Sequence, residues 1–381
     1  MTPPLIPAQR MSQAKRMLVM APFALGDFLY CKTFLAALKQ NNPELILDIW
    51  FDDGRNNQDA WRLSRSRIIE QWIEAEPAFE LAYGCCDFVE SQRAQIQRAA
   101  EQPYDLLLSL PNSKPWRYAK IARQIAPEAF YVCGTADNKS VGLWTRWQLR
   151  SADALYTLTD KMLPAEHHIT DRYYHLVSEV AGVELSRAQY LPSMQLPESY
   201  PIGAQQWLQE KFGEAPGTLF FLNHLSTAPR KNWQPEQMLE LVQRLAEAEP
   251  SRRFVLNVTG EHFEPMQAAV AEFLKSHQAR VAVFTVDQHF FELPAMISQA
   301  DFVVTVDTAI MHFATAFGRP LVAMKRDKKS YWTPQASAAS QVLVAKGNGA
   351  VSDISVADVL ETVNTMVRTL ALGQIAEHSE A

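Results

Sequence analysis

The sequence predicts an α/β protein made of two domains, each built around a parallel sheet. Short apolar segments typical of buried strands alternate with longer amphipathic segments typical of helices. A polar, proline-containing stretch at residues 191–203 interrupts this alternation, which then restarts. The chain has 381 residues, 48% hydrophobic and 20% charged, so it can bury a large core.

The first domain is predicted to span residues 1–190. It opens with a strand, a short turn and a helix, at residues 17–23, 24–27 and 28–40. In that helix Lys32 and Lys39 are expected to reach solvent, because they lie off the apolar face. Further apolar runs are predicted as strands, at residues 45–51, 104–110 and 129–133.

The segment before the first strand, residues 1–16, is polar and proline-rich and is expected to be a short disordered tail. It lacks the continuous apolar core of a secretory signal, so the chain is expected to be cytoplasmic.

The second domain is predicted over residues 191–355, with a closing helix and a loose tail at residues 356–381. Strands are predicted at residues 218–222, 254–258, 281–284, 302–306 and 321–324. Helices are predicted at residues 235–248, 265–276, 292–299, 308–317 and 356–372. Two such domains are expected to face a central cleft, where open α/β folds bind ligands beyond the carboxyl ends of their strands.

Composition and missing motifs exclude several classes of protein. A net charge of −6 argues against a nucleic-acid partner, and no apolar run is long enough to span a membrane. The signatures GxGxxG, GxxxxGK[ST], HExxH and GxSxG are absent from the sequence. Their absence argues against the dehydrogenases, kinases, metalloproteases and hydrolases that carry these motifs. Neither a metal nor a cofactor is expected, and the four cysteines are predicted to be buried thiols, Cys31, Cys85, Cys86 and Cys133.

Asp27 follows the first strand and opens the first long helix, in the turn Leu25-Gly26-Asp27. A carboxylate at this place can cap the helix by accepting backbone N–H bonds, or it can act as a general base. The neighbouring glycine lets a ligand approach the backbone closely. The residues alone leave both roles open.

Two segments of the second domain have the composition of an anion site. Residues 223–238 place hydroxyls and cations, Ser226, Thr227, Arg230 and Lys231, in a loop before a helix N-terminus. Residues 300–324 run from a buried strand through Asp307 and Thr308 into a helix that carries His312. The alternatives are a solvated loop, a capping aspartate and a packed structural histidine.

Basic residues form further candidate sites. Residues 325–329, KRDKK, follow a strand end and could hold an anion, or form a solvated loop. The first domain carries two basic patches whose members could receive an anionic or membrane-anchored acceptor, or simply be solvated: Arg55, Arg62 and Arg65, and Lys114, Arg117 and Lys120.

Three of these segments, in this order, resemble glycosyltransferase family 9, the ADP-heptose:lipopolysaccharide heptosyltransferases of Gram-negative bacteria. The resemblance lies in LGDFLYCKTFLAALKQNNPELILDIW, RKNWQPEQMLELVQRLA and ELPAMISQADFVVTVDTAIMHFATAFGRPLVAM. Weaker similarity, including HHITDRYYHLVSEVAGV at residues 167–183, extends it over most of the chain. The family implies a GT-B fold of two Rossmann-like domains, with the acceptor bound mainly by the first domain and the donor nucleotide by the second.

The resemblance also implies an inverting transfer of heptose from ADP-heptose to a Kdo or heptose residue of the lipopolysaccharide inner core, without a metal. Asp27 matches the family's base, Lys231 its donor-phosphate lysine and Asp307 its sugar-contacting carboxylate. Thr308 and Ala309 match the donor-binding turn, His312 the motif histidine, and Glu261 or Glu264 a ribose contact. Because the acceptor is lipid-linked, peripheral contact with the inner face of the inner membrane is expected.

The chain also departs from the family pattern. Ala309 replaces a glycine of DTGPMH that lets the diphosphate approach the backbone, and KRDKK replaces an apolar stretch. We hypothesise that residues 325–329 compensate with positive charge. The alternatives are another nucleotide sugar used for a surface glycan, or a non-catalytic binding protein with this fold.

Overall fold

The computed structural model describes residues 3–136, 147–186, 191–214, 216–326, 331–334, 337, 339–347 and 349–379. The chain divides into two compact units, Met1–Pro192 and Ser193–Ala381. Each unit holds a six-stranded sheet whose described strand pairs are all parallel.

The first unit has the strand order β3-β2-β1-β4-β5-β6. Its strands are β1 Arg16–Met20, β2 Ile46–Trp50, β3 Ala82–Tyr83, β4 Leu106–Asn112, β5 Phe130–Thr135 and β6 Ala154–Thr157. Its helices are α1 Ala8–Gln13, α2 Leu25–Asn41, α3 Ala60–Glu74, α4 Val89–Ala100, α5 Pro115–Ile125 and α6 Ile169–Ala181.

The second unit has the strand order β12-β11-β10-β7-β8-β9. Its strands are β7 Leu219–Asn223, β8 Arg253–Asn257, β9 Arg280–Phe284, β10 Phe302–Val306, β11 Leu321–Lys325 and β12 Ser340–Val344. Its helices are α7 Ser199–Phe212, α8 Pro235–Ala248, α9 Gly260–Phe273, α10 Glu292–Gln299, α11 Ala309–Ala316 and α12 Val356–Ser379.

Both sheets have the same doubly wound order, and this sets where a ligand can bind. The first strand of each unit lies between its second and fourth strands, so β1 pairs with β2 and β4, and β7 pairs with β8 and β10. The connections on the two sides of the first strand run in opposite directions, which opens a crevice at the carboxyl ends of β1 and β4 and of β7 and β10.

Apolar side chains explain why the central strands form. Residues 17–20 of β1 and all of β7 and β10 are buried, as expected for strands covered on both faces by helices. One face of the second sheet packs Phe220, Leu222 and Val304 against α8 and α12 through Leu241 and Val359. This burial is the main stabilising contribution in each unit.

The sequence prediction missed the short or half-exposed edge strands β3, β6 and β12. Their apolar signal is weak because edge positions need not be buried; Leu155 in β6, for example, is 46% exposed. The start of α9 was also wrong, because the helix begins at Gly260 and carries Pro265 inside it rather than in its first turn.

Two further expectations were wrong in the first unit. The N-terminal segment is packed from Leu5 onward, since the N–H groups of Leu5 and Ile6 donate to the carbonyls of Glu179 and Val180 and Ile6 is fully buried. Lys32 does not reach solvent: its Nζ lies 2.7 Å from Glu76 Oε2, and both side chains are buried. The ion pair is possible because Glu76 follows α3, which packs on α2.

Among the cysteines, Cys31, Cys86 and Cys133 are buried thiols, as expected, whereas Cys85 is only half-buried. No helix in the described part of the chain is long and apolar enough to cross a membrane.

We predict that Gly134→Ala destabilises the first unit. A Cβ at this position in β5 would lie 2.5 Å from Pro111 N and from Ser109 O, which are backbone atoms of β4 and cannot rotate away. Overpacking of this kind typically costs about 1–3 kcal/mol. Urea unfolding followed by circular dichroism should therefore show a lower midpoint for the variant.

The control is Gly203→Ala in α7, where an added Cβ meets nothing within 4 Å. Alanine is favoured over glycine inside a helix by about 1 kcal/mol, so this variant should be at least as stable as the wild type. An unchanged midpoint for Gly134→Ala would contradict the packing of β5 on β4.

Candidate functional site

Asp27 lies in the first turn of α2, directly beyond the carboxyl end of β1. Its partly buried carboxylate accepts the backbone N–H of Ala24 at 3.3 Å, so it does contribute to the helix cap. Tyr173 of α6 donates its hydroxyl to the Asp27 carbonyl at 3.3 Å and holds this turn from the other side. The capping bond uses one carboxylate oxygen, Oδ2, and is long, so a second role for the group remains chemically open.

The environment raises the pKa of Asp27 to about 6, because burial removes water from the charged form. The Ala24 N–H and the positive charge of Arg65 act in the opposite direction but do not cancel this effect. A carboxylate with a pKa near neutrality is better suited to accept a proton than an ordinary aspartate, and it is still ionised at pH 7 and above.

The first basic patch of unit 1 is organised around Asp53, which follows β2. Arg55 and Arg65 lie 2.7 and 3.3 Å from Asp53 Oδ2, and both guanidinium groups also lie about 5 Å from the exposed ring of Trp61. The sequence analysis missed Trp61, although the sequence shows a tryptophan between Arg55 and Arg65. The three side chains form a fixed basic and aromatic surface.

Arg62 does not belong to that surface, so the expectation that it contacts an acceptor was wrong. Its side chain is fully buried, and its guanidinium donates to Asp52, Asp53, the Asn57 carbonyl and the Cys86 carbonyl. Such a group cannot meet a ligand without leaving these bonds. Arg62 therefore holds the loop that presents Arg55.

The second patch lies in and before α5. Lys114 and Lys120 are exposed, and Arg117 donates to the Gly54 carbonyl at 3.3 Å. Arg117 thus joins the loop after β2. Within unit 1 the structure brings Arg55, Arg65 and Arg117 into one neighbourhood.

In unit 2, the loop after β7 carries Ser226, Thr227 and Lys231. Asn232 accepts the Ser226 N–H at 2.7 Å, and Ser226 Oγ bonds to Ala228, which bends the loop into a compact turn. Thr227 is exposed, and Lys231 closes a short 3-10 turn, Pro229–Lys231. The loop is therefore shaped by its own polar contacts rather than being an open solvated segment.

The turn after β10 meets this loop. Lys231 Nζ lies 2.8 Å from Asp307 Oδ2, with the two side chains 40% and 21% exposed. Thr308 caps α11, because its hydroxyl accepts the Ile310 N–H at 3.3 Å, and Ala309 is the first helical residue. An accessible ammonium thus lies beside a helix N-terminus, which is an arrangement suited to phosphate.

The remaining predicted donor residues lie on α9 and α11. Glu261 is in the first turn of α9, beyond the carboxyl end of β8, and is 79% exposed. Glu264, one turn further, is also exposed. His312 is buried in α11, with its ring 5.8 Å from that of Trp332.

The KRDKK segment is described at Lys325 and Arg326. Lys325 is buried and donates to Thr333 Oγ1 at 2.9 Å, and Arg326 donates to the Gly349 carbonyl at 3.0 Å. These two cations are bound to protein groups, so Lys325 does not belong to a solvated loop. Residues 327–329 lie outside the described residues.

The sequence analysis also missed polar residues at the carboxyl ends of three neighbouring strands, Asn223, Asn257 and Thr305. They are buried and hydrogen-bonded to one another beneath the Lys231 loop. A signal existed, because each is a polar residue that ends, or nearly ends, an otherwise apolar strand.

Two Rossmann-like domains of this strand order form the GT-B fold, and comparisons with known proteins agree. The model of glycosyltransferase family 9 (heptosyltransferase) matches residues 93–362. The chain therefore belongs to glycosyltransferase family 9 and is a glycosyltransferase.

Individual relatives are distant but similar over their whole length. Lipopolysaccharide heptosyltransferase 2 of Escherichia coli K12 is 23% identical over 371 residues, which cover 92% of this chain and 98% of the relative. A family 9 glycosyltransferase from Veillonella parvula has a TM-score of 0.71 at 17% identity, covering 92% of this chain and 97% of that one. An E. coli heptosyltransferase with ADP-2-deoxy-2-fluoro heptose has a TM-score of 0.63 at 17% identity, covering 92% and 99%.

We predict that Asp27→Asn stabilises the protein at neutral pH. Burial raises the pKa of Asp27 from 3.8 to about 6, so the wild type loses stability as its carboxyl ionises with rising pH. Asparagine can still accept the Ala24 N–H and does not titrate. Thermal unfolding from pH 4 to pH 8 should therefore show equal stability at the acid end and a more stable variant above about pH 6.

A variant that is less stable than the wild type by the same margin at every pH would contradict this environment for Asp27.

Proposed function

We propose that this glycosyltransferase moves heptose from ADP-heptose to the inner core of lipopolysaccharide, with a Kdo or heptose residue as acceptor. The reaction is inverting and needs no metal, and Asp27 is its general base. Membership of family 9 and the likeness to lipopolysaccharide heptosyltransferase 2 support heptose as the transferred sugar and lipopolysaccharide synthesis as the pathway. The observation that carries the proposal is the pairing of Lys231 with Asp307 beside the N-terminus of α11.

The proposed donor site takes the diphosphate of ADP-heptose at this pairing. Departure of ADP develops negative charge on the phosphates, and Lys231 and the α11 N-terminus supply positive charge to stabilise it. Asp307 accepts hydrogen bonds from sugar hydroxyls, and Glu261 does the same for the ribose. Thr227 offers its exposed hydroxyl to the phosphates, and Ser226, whose hydroxyl donates to the Ala228 carbonyl, shapes the loop around them. Buried His312 supports the Thr308–Ala309 turn from within α11.

The proposed acceptor side uses Asp27. Its carboxylate takes the proton of the acceptor hydroxyl as that oxygen attacks the anomeric carbon, while the C–O bond to ADP breaks. One displacement of this kind inverts the configuration. The raised pKa of Asp27 supports this role, because a general base is most effective when its pKa lies near the working pH.

The acceptor is anionic and lipid-linked, so we assign Arg55, Arg65, Lys114, Arg117 and Lys120 to contacts with its charged groups. Arg65 also contributes positive charge near Asp27, which would draw the acceptor toward the base. The enzyme then works in the cytoplasm, peripherally at the inner face of the inner membrane. Exposed Trp61 beside two arginines supports contact with an anionic interface.

Ala309 favours a second candidate, the transfer of another nucleotide sugar to a surface glycan. Its side chain stands at the first residue of α11, where the family commonly has a glycine that lets a diphosphate approach. A thermal-shift panel of nucleotide sugars separates the two donors, because only a bound ligand raises the melting temperature. A shift with a different nucleotide sugar and none with ADP-heptose would favour this candidate.

The main experiment incubates the purified protein with ADP-heptose and a deacylated Kdo-containing core acceptor. ADP release and the acceptor's mass are followed together. A gain of one heptose with one ADP released is the expected result. If the protein neither binds ADP-heptose nor transfers heptose, the proposed donor is wrong. If it binds ADP-heptose without transferring heptose, the proposed acceptor is wrong.

We predict that Asp27→Asn abolishes transfer while ADP-heptose binding is unchanged. Loss of a general base typically lowers the rate by about 10²–10⁴-fold. In the wild type, kcat should rise with pH through the Asp27 pKa, which the environment raises to about 6, because the ionised form is active. Asp160→Asn, which changes a carboxylate whose side chain is 77% exposed, is the control and should transfer normally. Full activity of Asp27→Asn would remove Asp27 as the base.

We predict that Asp307→Asn binds ADP more tightly but transfers heptose more slowly. Asp307 holds Lys231 at 2.8 Å in the free protein and also repels a diphosphate, so its neutralisation favours ADP. Because the pair is partly exposed, we expect a gain of about fivefold or less. Isothermal titration calorimetry measures ADP binding, with Lys231→Ala as the weak-binding control. Weaker ADP binding by Asp307→Asn would contradict competition between Asp307 and the diphosphate for Lys231.

A further inference from the structure

Three buried polar side chains form one row across the sheet of unit 2. Asn257 of β8 is in register with Asn223 of β7, and Asn223 is in register with Thr305 of β10. Residues in register point to the same face, so the row lies on the face opposite to Phe220 and Leu222, which pack against α8. The three side chains are between 0% and 9% exposed.

Asn223 is the centre of the row, and its bonds leave no choice of amide orientation. Nδ2 donates to the Leu225 carbonyl and to Thr305 Oγ1, both at 3.0 Å. Oδ1 accepts Nδ2 of Asn257 at 3.0 Å. Only an amide nitrogen can donate to the Leu225 carbonyl, so both hydrogens of Asn223 Nδ2 are committed.

Thr305 passes the connection to the next turn. Its hydroxyl hydrogen is used for the Val306 carbonyl at 2.9 Å, so Oγ1 is an acceptor toward both other partners. These are Asn223 Nδ2 and Thr308 Oγ1, the latter at 3.4 Å. Thr308 must then donate inward, which turns its lone pairs toward the Ile310 N–H at the start of α11.

The two ends of this connection are the two halves of the proposed donor site. Through Leu225, Asn223 fixes the start of the loop that carries Lys231. Through Thr305 and Thr308, it fixes the turn that carries Asp307 and the N-terminus of α11. This hydrogen-bonded row thus sets the distance between the Lys231 ammonium and the N-terminus of α11.

Core packing alone does not explain why these positions are polar. The residues two positions earlier in the same strands point to the same face and are apolar, namely Phe221, Val255 and Val303. A buried amide or hydroxyl costs free energy unless its bonds are made, and replacing all partners of such a network together by apolar residues of equal shape can be nearly neutral or stabilising. Polar residues at these three positions are therefore more consistent with a positioning role than with stability.

We propose that Asn223 and Thr305 are positioning residues of the donor site, which fix the Lys231 loop relative to the Asp307–Thr308 turn so that both meet one diphosphate. The inference rests on the proposed function, because it takes the diphosphate of the donor as the ligand. Neither residue touches the ligand; both act through Lys231, Thr308 and the backbone of α11.

The test measures the Kd of ADP by isothermal titration calorimetry for Thr305→Val and Thr305→Ser. Valine keeps the shape of threonine and removes the acceptor oxygen, so Asn223 and Thr308 lose their common partner. We expect ADP binding at least about tenfold weaker, since the bonds that link Thr305 to Asn223 and Thr308 are lost, together with its bond to the Val306 carbonyl, and the two loops can shift. Serine keeps the oxygen and should bind ADP like the wild type.

The matched control is Thr315→Val, in the same unit and in α11, whose hydroxyl donates only to the Met311 carbonyl. It should bind ADP within about twofold of the wild type. A purely structural defect would lower the fraction of folded protein, and hence the titration stoichiometry, without changing the Kd. Asn223→Leu provides a second variant should Thr305→Val fail to fold, and it should weaken ADP binding to a similar extent.

Coupling with Lys231 separates positioning from other effects. In a Lys231→Ala background, Thr305→Val should weaken ADP binding much less than in the wild type, because the ammonium it positions is gone. Wild-type affinity in both Thr305→Val and Asn223→Leu would overturn the inference and leave the proposed function intact. Failure of the wild-type protein to bind ADP would overturn the proposed function and the inference together.

Discussion

The switch of strand order between β7 and β10 is the constraint on which the proposed donor site depends. These two strands are 83 residues apart at their starts, at Leu219 and Phe302, yet they are neighbours in the sheet, so their carboxyl ends emerge side by side. The loop after one carries Lys231 and the turn after the other carries Asp307. A parallel sheet of this order thus brings a cation and a helix N-terminus together.

Electrostatics and desolvation act in different ways in the two units. Lys231 and Asp307 are partly exposed, so their pairing is weak enough to be exchanged for a charged ligand. Asp27 is partly buried, and burial raises its pKa toward neutrality. The buried pairs of Arg62 with Asp52 and Lys32 with Glu76 have a third role, since their charges are satisfied inside the protein and shape the loops around the site.

Much of this architecture could be predicted from the sequence, because central strands such as residues 302–306 are mostly apolar and prolines mark the interruption near residue 191. The edge strands β3, β6 and β12 could not, since their short length or partial exposure weakens the apolar pattern. The identity of the site segments was equally visible, but the state of each side chain was not. Arg62 and Lys325 are cations by sequence and are buried in the structure, because Asp52, Asp53 and Thr333 reach them through the fold. Long-range partners of this kind leave no local pattern.

The configuration of the product at its anomeric carbon tests the mechanism most directly. If Asp27 acts as a base in one displacement, the transferred sugar must have the configuration opposite to that of the donor. Two-dimensional NMR of the product made from ADP-heptose and a deacylated core acceptor gives this configuration from the anomeric one-bond carbon–hydrogen coupling. Inversion is the predicted result. Retention would require a covalent or otherwise two-step route and would contradict the role assigned to Asp27.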